Sequence, residues 1–242
     1  MYRERPSRLD GAVLWTWTGE RLGGVGVLPD GCMDLMWSEG RLLVAGPDTR
    51  THVPGNPAAG HVGLRFAPGD APGVLGVPAH ELRDQRVELA ALWPAARVRR
   101  LTERLSEAPD QAAALEELAV RAAADTPGPD PLLRAVVQAL NAGRTVAAAA
   151  DAAGLGVRRL HRRSLDAFGY GPKTLARILR LRRALALVRA GLPYAEAAVA
   201  AGCADQAHLA REMRALAGTT LSAYTASAKS WTALPSGSST TA

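Results

Sequence analysis

The strongest constraint in this sequence is a pattern that occurs twice. Residues 145–169, TVAAAADAAGLGVRRLHRRSLDAFG, read as a short alanine-rich helix, a glycine turn and a second, very basic helix. Thr145 is a good N-cap residue, and Ala149, Ala150 and Ala153 allow close backbone approach. Gly154 breaks the helix, because glycine accepts the positive φ of a sharp inter-helix turn. Arg158, Arg159, His161, Arg162 and Arg163 then surround one apolar anchor, Leu160. Two helices on a glycine turn, the second loaded with long cations, is the helix-turn-helix plan for the DNA major groove. About 48 residues later Tyr194–Ala201 is another small-residue helix, broken by Gly202. Asp205 can cap the next helix, where Gln206, His208 and Arg211 alternate with Leu209, Met213 and Leu216. The first unit already favours DNA over a solvated basic helix packed on a bundle, and its repetition, far less expected by chance, strengthens that reading.

Between the copies, residues 173–191 carry Leu175, Ile178, Leu181, Leu185 and Val188 at helical spacing, with Pro172 near the start and Gly191 after the end. Such a helix spans roughly 27 Å. That length can hold two recognition helices about one DNA turn, roughly 34 Å, apart.

This arrangement resembles the AraC/XylS family of bacterial transcription regulators over roughly residues 131–226. The resemblance rests on AAGLGVRRLHRRSL, FGYGPKTLARILRLRRALAL and AAGCADQAHLAREMRALAGTTL, in the family's order and spacing. The family reads DNA with the exposed faces of its third and sixth helices. Residue by residue, this implies Arg158, His161 and Arg162 in the first unit, and Gln206, Ala207 and Arg211 with His208 adjacent in the second. Three positions depart from the pattern. Ser164 and Cys203 stand where the family usually has aromatics, and Gly156 stands where it has a serine N-cap. Phe168, on a face near Leu160, can replace the first aromatic. Arg158 and Arg162 are the best guanine readers, because an arginine fork matches O6 and N7 together; Gln206 can pair with adenine or with a phosphate, and Arg211 can meet either a base or a phosphate. Arg159, Arg163, Arg177, Arg180, Arg182 and Arg183 are assigned to phosphates or solvent.

Charge divides the chain in the same place. Residues 1–130 carry 14 Lys/Arg against 18 Asp/Glu; residues 131–242 carry 15 against 5. The halves are therefore −4 and +10, and the basic half holds the repeat. The proline-rich DTPGPDP, residues 125–131, marks the boundary. From Lys229 the polar, low-complexity sequence reads as a disordered tail.

Residues 12–87 read as short strands, among them Val13–Trp17, Cys32–Trp37, Arg41–Ala45 and His61–Phe66, with Glu39-Gly40 suggesting a hairpin. Residues 88–124 change to helical period: Pro94 can open one helix, and Asp110 can cap another carrying Leu115, Leu118 and Ala122. A β domain, two helices and a paired helix-turn-helix is the usual layout of the family named. There the first domain is a cupin-like barrel that binds an effector or mediates dimerisation. LPDGCMDLMW, GPDT and GLRFAPG look like the first domain of an actinobacterial branch.

The fold expected is α+β. Residues 1–125 form a small cupin-like β barrel with two helices, a sensor or dimerisation domain. Residues 126–131 are the linker, 132–228 an all-α domain of two helix-turn-helix units joined by a linker helix, and 229–242 the tail. The function expected is a sequence-specific, double-stranded DNA-binding transcription regulator. Its further partners would be a small-molecule effector, a homodimer mate and, for an activator, RNA polymerase. Trp15, Trp17 and Trp37 are the candidate effector contacts, since ligand pockets are apolar and aromatic-lined; tryptophans on strands are more often simply core.

Other chemistry has little support. No run of eighteen apolar residues and no apolar leader appear, so a cytoplasmic location without membrane contact is expected. Cys32 and Cys203 are not spaced as a metal pair, and Cys32 reads as a buried structural thiol. His52, His61 and His80 lack the close His-x-His of metal-binding cupins. Gly23–Gly26 matches no phosphate loop. No metal, cofactor or catalysis is assigned. The alternatives are a cupin-like metal-dependent enzyme with an accessory helical domain, and a sequence-neutral architectural DNA-binding protein.

Overall fold

Alternation of apolar residues builds the first half around one antiparallel sheet. A computed structural model describes residues 1–18, 26–53 and 60–229. The strands are β1 (Tyr2–Pro6), β2 (Val13–Trp17), β3 (Asp34–Ser38), β4 (Arg41–Ala45), β5 (His61–Arg65) and β6 (Arg86–Glu88), in the order β1-β2-β5-β3-β4-β6. Leu14, Leu35, Val44 and Leu64 lie side by side across four strands and are buried at 2% exposure or less. Glu39 and Gly40 turn β3 into β4 with φ of 49° and 75°. A two-residue hairpin with positive φ at both positions matches the twist of the strands it joins.

The barrel expected from the strand pattern does not form. Among the described residues the sheet is open, with β1 and β6 as its edges. Its apolar face is covered instead by helices α1 (Ala71–Leu75), α2 (Ala95–Glu107) and α3 (Gln111–Ala124), so no second sheet is needed to bury it. Pro94 opens α2, and the Asp110 carboxylate caps α3 by accepting from the Ala113 amide at 3.0 Å. Glu116 sits on the inner side of α3 with 3% of its side chain exposed. It accepts two hydrogen bonds from the Arg5 guanidinium, at 2.9 and 3.1 Å, and one from the Arg8 amide at 2.8 Å. The Arg5 hydrogen bonds hold its carboxyl at a pKa of about 2.

Among the described residues the second half is helical: α4 (Pro131–Asn141), α5 (Val146–Ala152), α6 (Val157–Phe168), α7 (Pro172–Arg189), α8 (Tyr194–Ala200), α9 (Gln206–Ala217) and α10 (Leu221–Lys229). Their core gathers Leu160, Phe168, Leu175, Ile178, Leu209 and Met213, while the sheet and α1–α3 share a separate one. Apart from Lys229, the tail lies outside the described residues, as do Gly23–Val25.

The two cores meet along a tight seam. Phe168 lies so close to Gly69 that a Cβ there would be 2.7 Å from its ring, and Gly169 stands equally close to Pro47. Arg134 of α4 bridges Asp10 at 2.6 Å and Asp70 at 2.8 Å. Arg182 of α7 donates to the Asp30 carbonyl at 2.9 Å. Thr51 donates from its amide to Leu216 O at 3.1 Å and from its hydroxyl to Ala217 O at 3.0 Å.

Candidate nucleic-acid interface

Each helix-turn-helix is built from small residues that let its helices touch. In the first unit, Thr145 Oγ1 accepts from the Ala148 amide at 3.1 Å, and Ala149 and Ala150 are buried where α5 meets its neighbours. Gly154 turns the chain at φ +63°, and α6 follows. Leu160, Ser164, Ala167 and Phe168 face inward, which leaves Arg158, Arg159, His161 and Arg162 exposed. In the second unit Gly202 turns at φ +87°, and the Asp205 carboxylate caps α9 by accepting from the His208 amide at 2.6 Å. Leu209, Met213, Leu216 and Ala217 face inward, and Gln206, Ala207 and Arg211 are exposed.

α6 and α9 have equal length and superpose by sequence with an offset of 49, from Val157 on Gln206 to Phe168 on Ala217. Arg162 then matches Arg211, and Leu160 matches Leu209. Ser164 matches Met213, and both are fully buried. The first unit thus has small then large (Ser164, Phe168) where the second has large then small (Met213, Ala217). Phe168 supplies the volume that Ser164 lacks one turn earlier, which accounts for a small residue at that core position.

Between the units, α7 buries Leu175, Ile178, Leu181 and Leu185, and Leu179 and Ala184 as well, so it is enclosed on more than one stripe. Arg183 explains part of this. Its guanidinium, half-buried, donates to Leu140 O at 2.9 Å, Asn141 O at 2.5 Å and Ala201 O at 3.0 Å. It thereby caps the last carbonyls of α4 and that of Ala201, the residue just after α8.

The assigned cations accordingly separate into two groups. Arg158, Arg159, Arg162 and Arg211 are exposed, Arg180 is half-buried, and none has a hydrogen bond or ion pair among the described residues. Arg163, Arg177, Arg182 and Arg183 are engaged within the chain. Arg163 pairs with Asp130 of the linker, and Arg177 with Glu212 of α9 at 2.9 Å. Arg182 and Arg183 bind the carbonyls named above. Two histidines are also turned aside: the His161 ring lies against Gly171, and His208 Nδ1 accepts from the Ala204 amide at 3.2 Å. Exposed residues on these helices that the sequence did not single out include Val157 and Arg214. Arg214 follows Arg211 by three residues, a helical spacing that could have flagged it.

The three tryptophans do not share one wall. Trp37 pairs in register with Val62 and lies in the core between sheet and helices. Trp15 and Trp17 project to the other face. Trp15 is half-buried, its ring laid over Gly63 and its indole N–H donating to Asp34 Oδ1 at 2.6 Å. Asp34 and Asp30 flank the buried Arg65 at 3.5 and 3.2 Å, and the Asp30 carbonyl is the one held by Arg182. Burial pushes the pKa of the Cys32 thiol well up, as befits a structural residue. His52, His61 and His80 stand apart. His61 Nδ1 is 2.8 Å from Ser38 Oγ, and His80 faces Asp166 of α6 at 3.5 Å. Among the described residues no cluster of three metal-ligating side chains occurs, and no helix is long and apolar enough to cross a membrane.

Two family models match parts of this chain. A helix-turn-helix domain family matches residues 149–227, which span the end of α5 through α9 and into α10. Over these residues the chain is similar to a helix-turn-helix domain. A domain of unknown function, DUF6597, matches residues 6–88. No curated protein matches. Among solved structures, apo ToxT from Vibrio cholerae strain SCE256 is 8% identical at a TM-score of 0.47, covering 90% of this chain and 98% of that one. ToxT from Vibrio cholerae O395 is 8% identical at 0.46, covering 93% and 92%. Unsaturated fatty acid-bound ToxT is 10% identical at 0.43, covering 92% and 89%.

Proposed function

We propose that this chain is an AraC-type transcription regulator that reads a specific duplex sequence by placing α6 and α9 in two successive major grooves. The observation that carries this is the pairing of two equal helices, each with an outward arginine at the same position, Arg162 and Arg211, on one buried α7. α7 has 18 residues, roughly 27 Å, which suits two entries about one DNA turn apart. Arg158, Arg162, Gln206, Ala207 and Arg211 are the base-facing set. Arg159, Arg180 and Arg214 are free to meet phosphates. Arg163, Arg177, Arg182 and Arg183 serve the protein's own architecture.

Residues 1–125 act as the controlling domain, joined by 126–131 to the DNA-binding residues 132–228. The seam supports control through α6, because Phe168, Gly169 and Arg163 each meet residues outside the helix-turn-helix units. An effector on the Trp15 face, or a second copy of the chain, would act through the Asp34–Arg65–Asp30 contacts to Arg182. RNA polymerase is the partner if the regulator activates. Selection of bound duplexes from a random pool tests the reading. Two conserved half-sites about one turn apart are expected. Equal recovery of all sequences would instead support a sequence-neutral binder.

A further inference from the structure

Among the described residues, Val157 is the one large exposed apolar side chain on either reading helix. It is 60% exposed, at the first position of α6. A single exposed valine is ordinary on a protein surface. Its surroundings give this one a meaning. It precedes Arg158 directly and stands one turn before His161, at the end of the helix that leads into a major groove. Its counterpart in the second unit is Gln206, a residue with a side chain suited to base edges. The chain before it is Gly156, which has no side-chain cap and open space where a Cβ would stand. Nothing therefore screens Val157 from an approaching duplex.

The base edges of the major groove present one apolar group, the C5-methyl of thymine. A β-branched side chain in a helix is held almost entirely in one χ1 rotamer, so its two methyls point in a fixed direction. We infer that Val157 reads a thymine methyl at the edge of the first half-site, beside the bases met by Arg158 and Arg162. This rests on the reading of α6 as a groove-entering helix. It adds an apolar determinant to a unit otherwise read by cations.

The test uses the full chain and the duplex recovered by selection. Each thymine is replaced in turn by deoxyuridine, which lacks only the methyl. One replacement in the first half-site should weaken wild-type binding about three- to fivefold, the effect of one buried methyl group. Val157→Ala should bind the thymine duplex more weakly by a similar factor and no longer distinguish it from the uracil duplex. The coupling between the two changes isolates the contact. Val157→Thr, which keeps one methyl, should retain part of the discrimination. Circular dichroism should show all three proteins equally folded, since the side chain is exposed. A flat uracil series on a duplex that is otherwise specifically bound overturns this inference and leaves the groove reading intact. Discrimination that survives Val157→Ala overturns it too. A chain that selects no sequence overturns both.

Discussion

The two helix-turn-helix units share a plan and differ in what holds them. α9 begins with the Asp205 cap and buries Leu209, Met213 and Leu216 within its own half. α6 begins at Gly156 with no side-chain cap, and its far end is seated on the first domain. Phe168 packs against Gly69, Pro47 against Gly169, and Arg83 donates to the Gly169 carbonyl at 3.2 Å. The first domain reaches α9 through Thr51, whose two bonds go to the last residues of that helix. The first unit is thus completed by its neighbour, and the second is largely complete in itself. A signal arising in the first domain has its broadest physical path into α6.

The largest effect expected follows from Phe168, whose counterpart in the second unit is Ala217. Phe168→Ala should destabilise the full chain by about 3–5 kcal/mol, as aromatic truncations in a packed core do. Denaturant unfolding measures it. It should also uncouple the halves, so that the unfolding of the sheet and of the helical half no longer coincide. A loss under about 1 kcal/mol with a single coincident transition would mean that the seam does not hold α6.

Acid separates the halves next. Glu116 lies in the first domain with its pKa lowered to about 2 by the Arg5 hydrogen bonds. Its unfolded value is near 4.3, so its stabilisation is present above that pH and is lost as the pH falls towards 2. Its share is about 2–3 kcal/mol, with the lower end favoured because Arg5 and Arg8 are half in water. Burial raises the pKa of Asp34 and Asp70, and they act in the opposite sense. The difference between wild type and Glu116→Gln cancels their part. That difference should shrink steadily between about pH 5 and pH 2. A difference constant across this range would remove Glu116 as the acid-sensitive tie of the first domain.

Much of this comparison was legible in the sequence because it is local. The glycine turns, the caps at Thr145, Asp110 and Asp205, and the stripe on α7 all follow from spacings of a few residues. The strand β1 was not legible. Of YRERP only Tyr2 is buried, and the strand exists because β2 pairs with it. The roles of the arginines were hidden for the same reason. Arg163 meets a partner 33 residues away, Arg177 one 35 away and Arg182 one 152 away. In sequence these cations look the same as Arg158 and Arg162. Only the packing shows which guanidinium groups are already engaged. The open sheet was hidden too, since alternation shows that a face is buried and not whether a helix or another sheet covers it.

The matched arginines test whether both units read DNA. Arg162→Ala and Arg211→Ala should each cost about 1–3 kcal/mol on the selected duplex, and each should relax preference at different positions, about one turn apart. Arg159→Ala should weaken all duplexes alike and flatten the salt dependence. Binding titrations across a site library check all three. If Arg211→Ala shifts no base preference, the second unit is a phosphate clamp and the first alone reads sequence.

The smallest effects lie at the two helix starts. Asp205→Ala removes the acceptor for the His208 amide and should cost about 1 kcal/mol. Gly156→Ser is the reverse experiment. Gly156 has φ −66° and ψ 146°, values any residue adopts, and no atom lies within 4 Å of the place a Cβ would take. A serine hydroxyl there would accept from an amide of the first turn, as Asp205 does in α9. Glycine is itself a tolerable N-cap, so the gain should be only a few tenths of a kcal/mol. The expected result is a small rise in the denaturant midpoint with an unchanged slope and an unchanged sequence preference. A rise as large as the loss in Asp205→Ala would show that the first unit's start is strained as it stands. A fall would show that the open amides of α6 are satisfied by contacts a serine disturbs. Either outcome would reverse the contrast drawn between the units, in which α9 is secured at its start and α6 at its end.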